Sequence, residues 1–147
     1  MENVVTAGAD GSAARRGLAG KFGLQSGQTV QELGWDDDTD EELRTEIEEA
    51  AGGAMVQEDF QDVVDVVLLW FRDDDGDLVD ALVDAIAPLA DLGAIWLLTP
   101  KPGRAGHIEA ADIADAAPTA GLQATSTVSA SKDWQGTRLV APRARRA

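Results

Sequence analysis

Residues 63–71 form a nearly unbroken apolar run, Val-Val-Asp-Val-Val-Leu-Leu-Trp-Phe, which turns abruptly into Arg72-Asp73-Asp74-Asp75-Gly76-Asp77. A strand with one wet face alternates apolar and polar residues. A continuous run implies burial on both faces, the place of a central strand in a parallel sheet covered by helices. Leu78, Val79, Leu82, Val83, Ile86 and Leu89 then recur at helical spacing over residues 77–90, with Pro88 bending or closing the last turn. Gly93 precedes a second buried strand over residues 94–98, which completes a βαβ unit expected to cross over right-handed. In such sheets ligands and catalytic groups sit outside the carboxyl ends of the strands. Four Asp in five residues at that point bind a cation, do chemistry, or cap the following helix.

The flanking segments complete the pattern. Residues 28–34 read as a short first strand, with imperfect alternation around Thr29, Val30 and Leu33. Thr39-Asp40-Glu41-Glu42 reads as a capping box with Thr39 as the cap, opening a helix whose stripe is Leu43, Ile47, Ala50 and Ala51. Asp40 and Arg44 have the spacing of an i,i+4 pair, and Gly52-Gly53 ends the helix. Residues 109–120 predict an Ala-rich helix around Ile113. Residues 122–130 and 136–141 predict a hairpin turning through residues 131–135. The expected fold is a small three-layer α/β sandwich: three parallel strands plus a C-terminal antiparallel hairpin, with helices on both faces. Residues 1–20, rich in Gly, Ala and Ser, are expected to be a disordered tail. Residues 21–141 are expected to be one domain, and residues 142–147 a short basic tail.

Charge narrows the partners. The net charge is −15, and between Glu32 and Asp84 twenty carboxylates face only Arg44 and Arg72, a local balance of −18. That field repels phosphate backbones, so nucleic acid is not expected on the folded domain. The absence of Cys excludes disulfides and thiolate chemistry. No apolar run reaches the length of a membrane span and the N-terminus has no basic leader, so the expectation is a cytoplasmic protein without a membrane partner.

Candidate site residues lie where the strands end. Trp35, Asp36, Asp37 and Asp38 follow the first strand, Arg72, Asp73 and Asp75 the second, and Thr99 and Lys101 the third. Parallel strands bring these loops to one edge. Clustered carboxylate oxygens there would suit Mg²⁺ or Ca²⁺, while Asp75 or Asp77 as helix cap accounts for the same residues without a metal. A calcium-loop reading fails on register, since Gly76 at its sixth position puts Phe71 first and Leu82 last. Asp73-Asp74-Asp75-Gly76 resembles the DxDG of haloacid-dehalogenase-type phosphoryl transfer. That likeness implies Asp73 as nucleophile, Asp75 as acid/base, Thr99 on phosphate and Lys101 as charge clamp. Asp77 stands where Thr is expected, Arg72 separates strand from Asp, and the final acidic pair is missing. His107, the single His, is expected to open the third helix. Trp70 and Trp96 are expected in the core, and Trp35 and Trp134 in loops where an indole can stack on a ligand or partner.

Leu33-Gly34-Trp35-Asp36-Asp37-Asp38, Asp40-Glu41-Glu42-Leu43-Arg44, the run from Leu69 to Leu78, Leu98-Thr99-Pro100-Lys101 and Ser131-Lys132-Asp133-Trp134 resemble an actinobacterial family, domain-of-unknown-function family 3052. The resemblance spans residues 21–141 and implies an actinobacterial cytosolic origin. The order of elements is similar to a cut-down class I methyltransferase sheet ending in the same hairpin, with residues 28–34 placed as its first strand. The glycine-rich loop that would cradle that family's cofactor is replaced by Trp35-Asp36-Asp37-Asp38. The function expected is a non-catalytic interaction or regulatory module whose acidic strand-end edge and Trp bind a protein partner, with no cofactor. The alternative is a small-molecule or Mg²⁺-binding enzyme or sensor at that edge, with a degenerate methyltransferase-like or phosphoryl-transfer site.

Overall fold

The computed structural model describes residues 22–142. The expectations for residues 1–20 and for Arg143, Arg145 and Arg146 lie outside the described residues. One sheet holds β1 (Val30–Leu33), β2 (Val64–Trp70), β3 (Leu89–Pro100), β4 (Gln123–Ser129) and β5 (Trp134–Val140), in the order β1-β2-β3-β5-β4. The first three strands are parallel, and β5 runs antiparallel to both β3 and β4. Helices α1 (Glu41–Ala51), α2 (Leu78–Ile86) and α3 (Ala110–Thr119) cover the two faces. The expected mixed α/β sandwich is therefore the fold found.

The two-residue period of β2 explains its unbroken apolar run. Val66, Leu68 and Trp70 meet Leu43, Ile47 and Ala51 of α1 on one face. Val67, Leu69 and Phe71 join Leu82 and Ala85 of α2 and Ile113, Ala116 and Ala117 of α3 on the other. On the α1 face, Phe22 stacks on Trp96 with centroids 4.3 Å apart, and its carbonyl accepts from Trp96 Nε1 at 3.1 Å.

The winding of the chain reverses at β1. After α1 the backbone returns along the outer side of β1, where Val56 N donates to Val30 O and Glu32 N to Val56 O, both at 2.8 Å. Among the described residues the parallel bridge Gln31 to Val56 is the whole of the outer pairing. The chain then crosses to the other side of β1 to form β2, and α2 lies on the face opposite α1. In an open α/β sheet the crevice at such a reversal is the expected ligand position.

Several local expectations are corrected. The cap of α1 is Asp40, whose carboxylate accepts from Leu43 N at 2.9 Å, while Thr39 Oγ1 donates back to Asp36 O at 3.0 Å. Thr39 is one residue too early because its hydroxyl is used to close the preceding turn. Arg44 does not pair with Asp40; it turns to Glu32 and Glu41. Helix α2 stops at Ile86, capped at its start by Asp77 as one reading required. Pro88 O accepts from Val64 N at 2.9 Å, which starts β3 at Leu89 rather than at residue 94. The extra residues are absorbed in a bulge, Val64 facing Leu89 while Val66 faces Ala94.

Leu82 and Val83 are neighbours in α2, yet Leu82 is fully buried and Val83 is 49% exposed. Leu82→Ala should cost about 2–5 kcal/mol and Val83→Ala within about 0.5 kcal/mol, as read by urea denaturation. Equal losses would contradict the placement of α2.

Candidate functional site

The centre of the strand-end edge is Arg72, with only a tenth of its side chain exposed. β2 ends at Trp70, and the loop beyond it turns the guanidinium back over the gap between β1 and β2. Nη1 donates to Gly34 O at 2.8 Å, to Asp75 Oδ2 at 3.2 Å and to Trp70 O at 3.3 Å. Nε donates to Asp38 Oδ2 at 3.0 Å and Nη2 to Asp38 Oδ1, a two-pronged pair. Asp75 Oδ2 also accepts from Arg72 N at 2.9 Å. The Arg72 guanidinium carbon lies 5.3 Å from the ring centroid of Trp134, whose own Nε1 donates to Asp38 O at 3.2 Å. Hydrogen bonds and charge from Arg72 hold the Asp38 carboxyl below the ordinary carboxylate range, against a smaller opposing effect of burial. Gly34 is obligatory here: its φ is +80°, and a Cβ would lie 2.2 Å from Trp70 O.

A second buried charge stands behind this one. Glu32, in the middle of β1, is fully buried. It accepts from Arg44 Nε and Nη2 at 2.6 Å each, from Trp70 Nε1 at 2.9 Å and from Gln57 Nε2 at 3.1 Å. Burial alone would push this carboxyl up. The four hydrogen bonds and the charge of Arg44 outweigh it and hold Glu32 below its ordinary value. Trp70 then meets Trp134 edge-on, with centroids 4.8 Å apart, so the Glu32 and Arg72 groups share one aromatic wall. The sequence reading missed Glu32. Its signal was the imperfect alternation of β1, a carboxylate at a position facing the core.

The edge thus gathers Asp38, Arg72, Asp75 and Trp134, but as partners of one another. Trp134 is the first residue of β5 and 3% exposed rather than a loop indole, because its ring fills the space over Trp70. Thr99 is fully buried with its Oγ1 unpartnered, and Lys101 Nζ donates to Ser129 Oγ at 2.6 Å, on the hairpin side. No hydrogen bond or ion pair joins Asp73, Asp75, Thr99 and Lys101, the four groups of the phosphoryl-transfer reading, to one another among the described residues. Trp35 is 47% exposed, its Nε1 donating weakly to Glu41 at 3.4 Å. The side chains of Asp36, Asp37, Asp73 and Asp74 are exposed. No cluster of three or more ligating side chains fit for a metal occurs among the described residues. His107 lies just before α3, its Nδ1 2.8 Å from Pro100 O. No helix among the described residues is long and apolar enough to cross a membrane.

A sheet that reverses its winding at β1 and closes with an antiparallel hairpin is a methyltransferase-like Rossmann fold. The chain is similar to the CcbJ methyltransferase of Streptomyces caelestis, with a TM-score of 0.58 and 13% identity, covering 86% of this chain and 88% of that one. It is also similar to a SAM-dependent methyltransferase of Thiobacillus denitrificans in complex with S-adenosyl-L-homocysteine, with a TM-score of 0.57 and 12% identity, covering 90% of each chain. Likeness at that identity shows the fold alone. The chain belongs to the family described as protein of unknown function DUF3052, whose model matches residues 19–143. It is 57% identical over 127 residues to uncharacterised proteins of Mycobacterium tuberculosis and Mycobacterium bovis, covering 86% of this chain and 80% of those.

The lowered pKa of Glu32 gives a signed prediction. Its contribution to stability is complete above the unfolded carboxylate value of about 4.3 and is lost as pH falls through the lower folded value. Glu32→Gln should lower stability at neutral pH by up to about 3 kcal/mol, moderated because Arg44 keeps a fifth of its side chain in solvent. The same variant should lose less stability on acidification to about pH 3 than the parent does. Urea denaturation at both pH values checks this, and parallel losses would remove Glu32 from the acid response.

Proposed function

We propose that this chain is a non-catalytic interaction module on a methyltransferase-like scaffold, recognising a basic protein surface through Trp35, Asp36, Asp37, Asp73 and Asp74. The observation that carries the reading is Arg72. At the reversal point, where an open α/β sheet offers its ligand crevice, the guanidinium bridges the ends of β1 and β2 and is satisfied by groups of the same chain. The residues there do not fit S-adenosylmethionine: the loop after β1 presents an exposed indole and carboxylates, and Asp38 among them is bound to Arg72. What remains outward is an amphipathic indole followed in its own loop by exposed carboxylates, the composition of a surface that selects cationic partners and repels phosphate.

Calorimetric titration of the full chain with S-adenosylhomocysteine should show no binding, and a micromolar Kd would overturn the non-catalytic reading. Photo-crosslinking from position 35 in an actinobacterial host should yield a protein adduct that Asp36→Asn with Asp37→Asn removes. An adduct that survives both substitutions would show that these carboxylates do not select the partner.

A further inference from the structure

The two outer strands of the sheet are finished differently. β1 meets the return segment on its outer side, through the bridge from Gln31 to Val56. β4 pairs only with β5 among the described residues. In an antiparallel ladder every second residue turns its N–H and C=O away from the neighbouring strand. The outer side of β4 therefore carries a row of backbone donors and acceptors. Six of its seven residues are exposed, and only Val128 packs against the core.

Edge strands of soluble proteins are ordinarily guarded by charged side chains, proline or a bulge. β4, Gln123-Ala124-Thr125-Ser126-Thr127-Val128-Ser129, has neither charge nor proline. It lies within the longest stretch of this chain without a charged residue, Ala116 to Ser131. The guard it does have is a register shift at Thr125, since Ala124 faces Leu139 while Ser126 faces Arg138. That irregularity is tied inward. Thr125 Oγ1 accepts from Arg138 Nη1 at 3.1 Å and donates to Arg138 O at 3.4 Å. From Ser126 to Ser129 the register is regular.

The missing charge points to the partner. With a net charge of −15, two copies of this chain repel one another across most of their surface. A basic partner would gain from carboxylates along its docking strand, whereas a partner as acidic as this chain requires that there be none. The uncharged run meets the second condition. Two identical strands set antiparallel about a two-fold axis are also self-complementary, each row of donors and acceptors meeting the same row. We propose that β4 pairs antiparallel with β4 of a second copy, centred near Thr127, and joins the two sheets into one. Thr and Ser then face each other across the new ladder, where their hydroxyls and the branched Thr side chains suit cross-strand pairing. A contact one strand long is smaller than a standard stable interface, so the pairing is weak, with a Kd on the order of 100 µM. β3 and β5 separate β4 from the strands that carry Trp35 and Asp73, so this proposal and the strand-end reading fail separately.

The test is sedimentation equilibrium of the full chain at physiological ionic strength, from roughly 10 µM to 1 mM. The mass should rise toward that of a dimer, and amide hydrogen exchange should slow at alternate residues of β4 over the same range. Thr127→Glu, at an exposed position, sets like charges across the axis and should weaken pairing by roughly tenfold or more. Thr127→Lys should do the same. A mixture of the two variants should pair again, because opposite charges then face each other. Thr45→Glu, which adds the same charge at an exposed position of α1, should leave pairing intact. A chain that stays monomeric at the highest concentration overturns the proposal, and so does a mixture that stays monomeric. A dimer that survives both Thr127 variants shows that the copies meet elsewhere and overturns it as well.

Discussion

One guanidinium holds the strand-end edge of this molecule in register. Arg72 takes its acceptors from the end of β1, from the loop after β2 and from the last carbonyl of β2 itself, and it lies against the first residue of β5. With Asp38 and Asp75 both partly solvated, the ion pairs themselves contribute modestly. The larger consequence lies in the carbonyls of Gly34 and Trp70, which are oriented toward the guanidinium and would lose a donor without it. The loops are therefore shaped around Arg72. That shaping ties Asp38 and Asp75 to the guanidinium and leaves Trp35, Asp36, Asp37, Asp73 and Asp74 facing solvent.

Glu32 extends the same logic into the core. A buried ion pair is a weak source of net stability, because desolvation offsets most of the attraction, but it is demanding about geometry. Arg44 reaches Glu32 from α1, and Trp70 and Gln57 reach it from β2 and from the return segment. Four parts of the chain must be correctly placed for that carboxylate to be satisfied, so the group ties α1 and β2 to β1. Trp70 carries the constraint onward to Trp134 and hence to Arg72. β1 is only four residues long and has a single bridge on its outer side. It owes its fixed position to these polar contacts as much as to its ladder with β2.

The elements whose signals are local were legible. β2 follows from its unbroken apolar run and α2 from a period of 3.6 residues, and Asp77 as a cap follows from its place before an apolar stripe. The contacts that define the site are of another kind. Arg72 with Asp38, Arg72 with Gly34 O and Trp134 with Asp38 O join residues 34, 38 and 96 positions apart. No spacing rule encodes such pairs. Read along the chain, Arg72 interrupts an otherwise suggestive Asp motif; placed in the sheet, it is what the Asp residues surround. Trp134 misled for a related reason, since turn residues on both sides of an indole do not reveal that the indole faces inward. Lys101 was assigned by strand order alone, and its flexible stem follows the nearer hydroxyl of Ser129.

The charge of the chain is unevenly placed. Of twelve basic residues, six lie outside residues 22–142, while all but two of the 27 carboxylates lie within. A body this acidic resists pairing with its own copy and attracts cations at any carboxylate-lined surface. Attraction alone therefore does not make a site. At the strand-end edge the carboxylates are solvated, and salt beyond the Debye length of about 8 Å at physiological strength weakens what they can do.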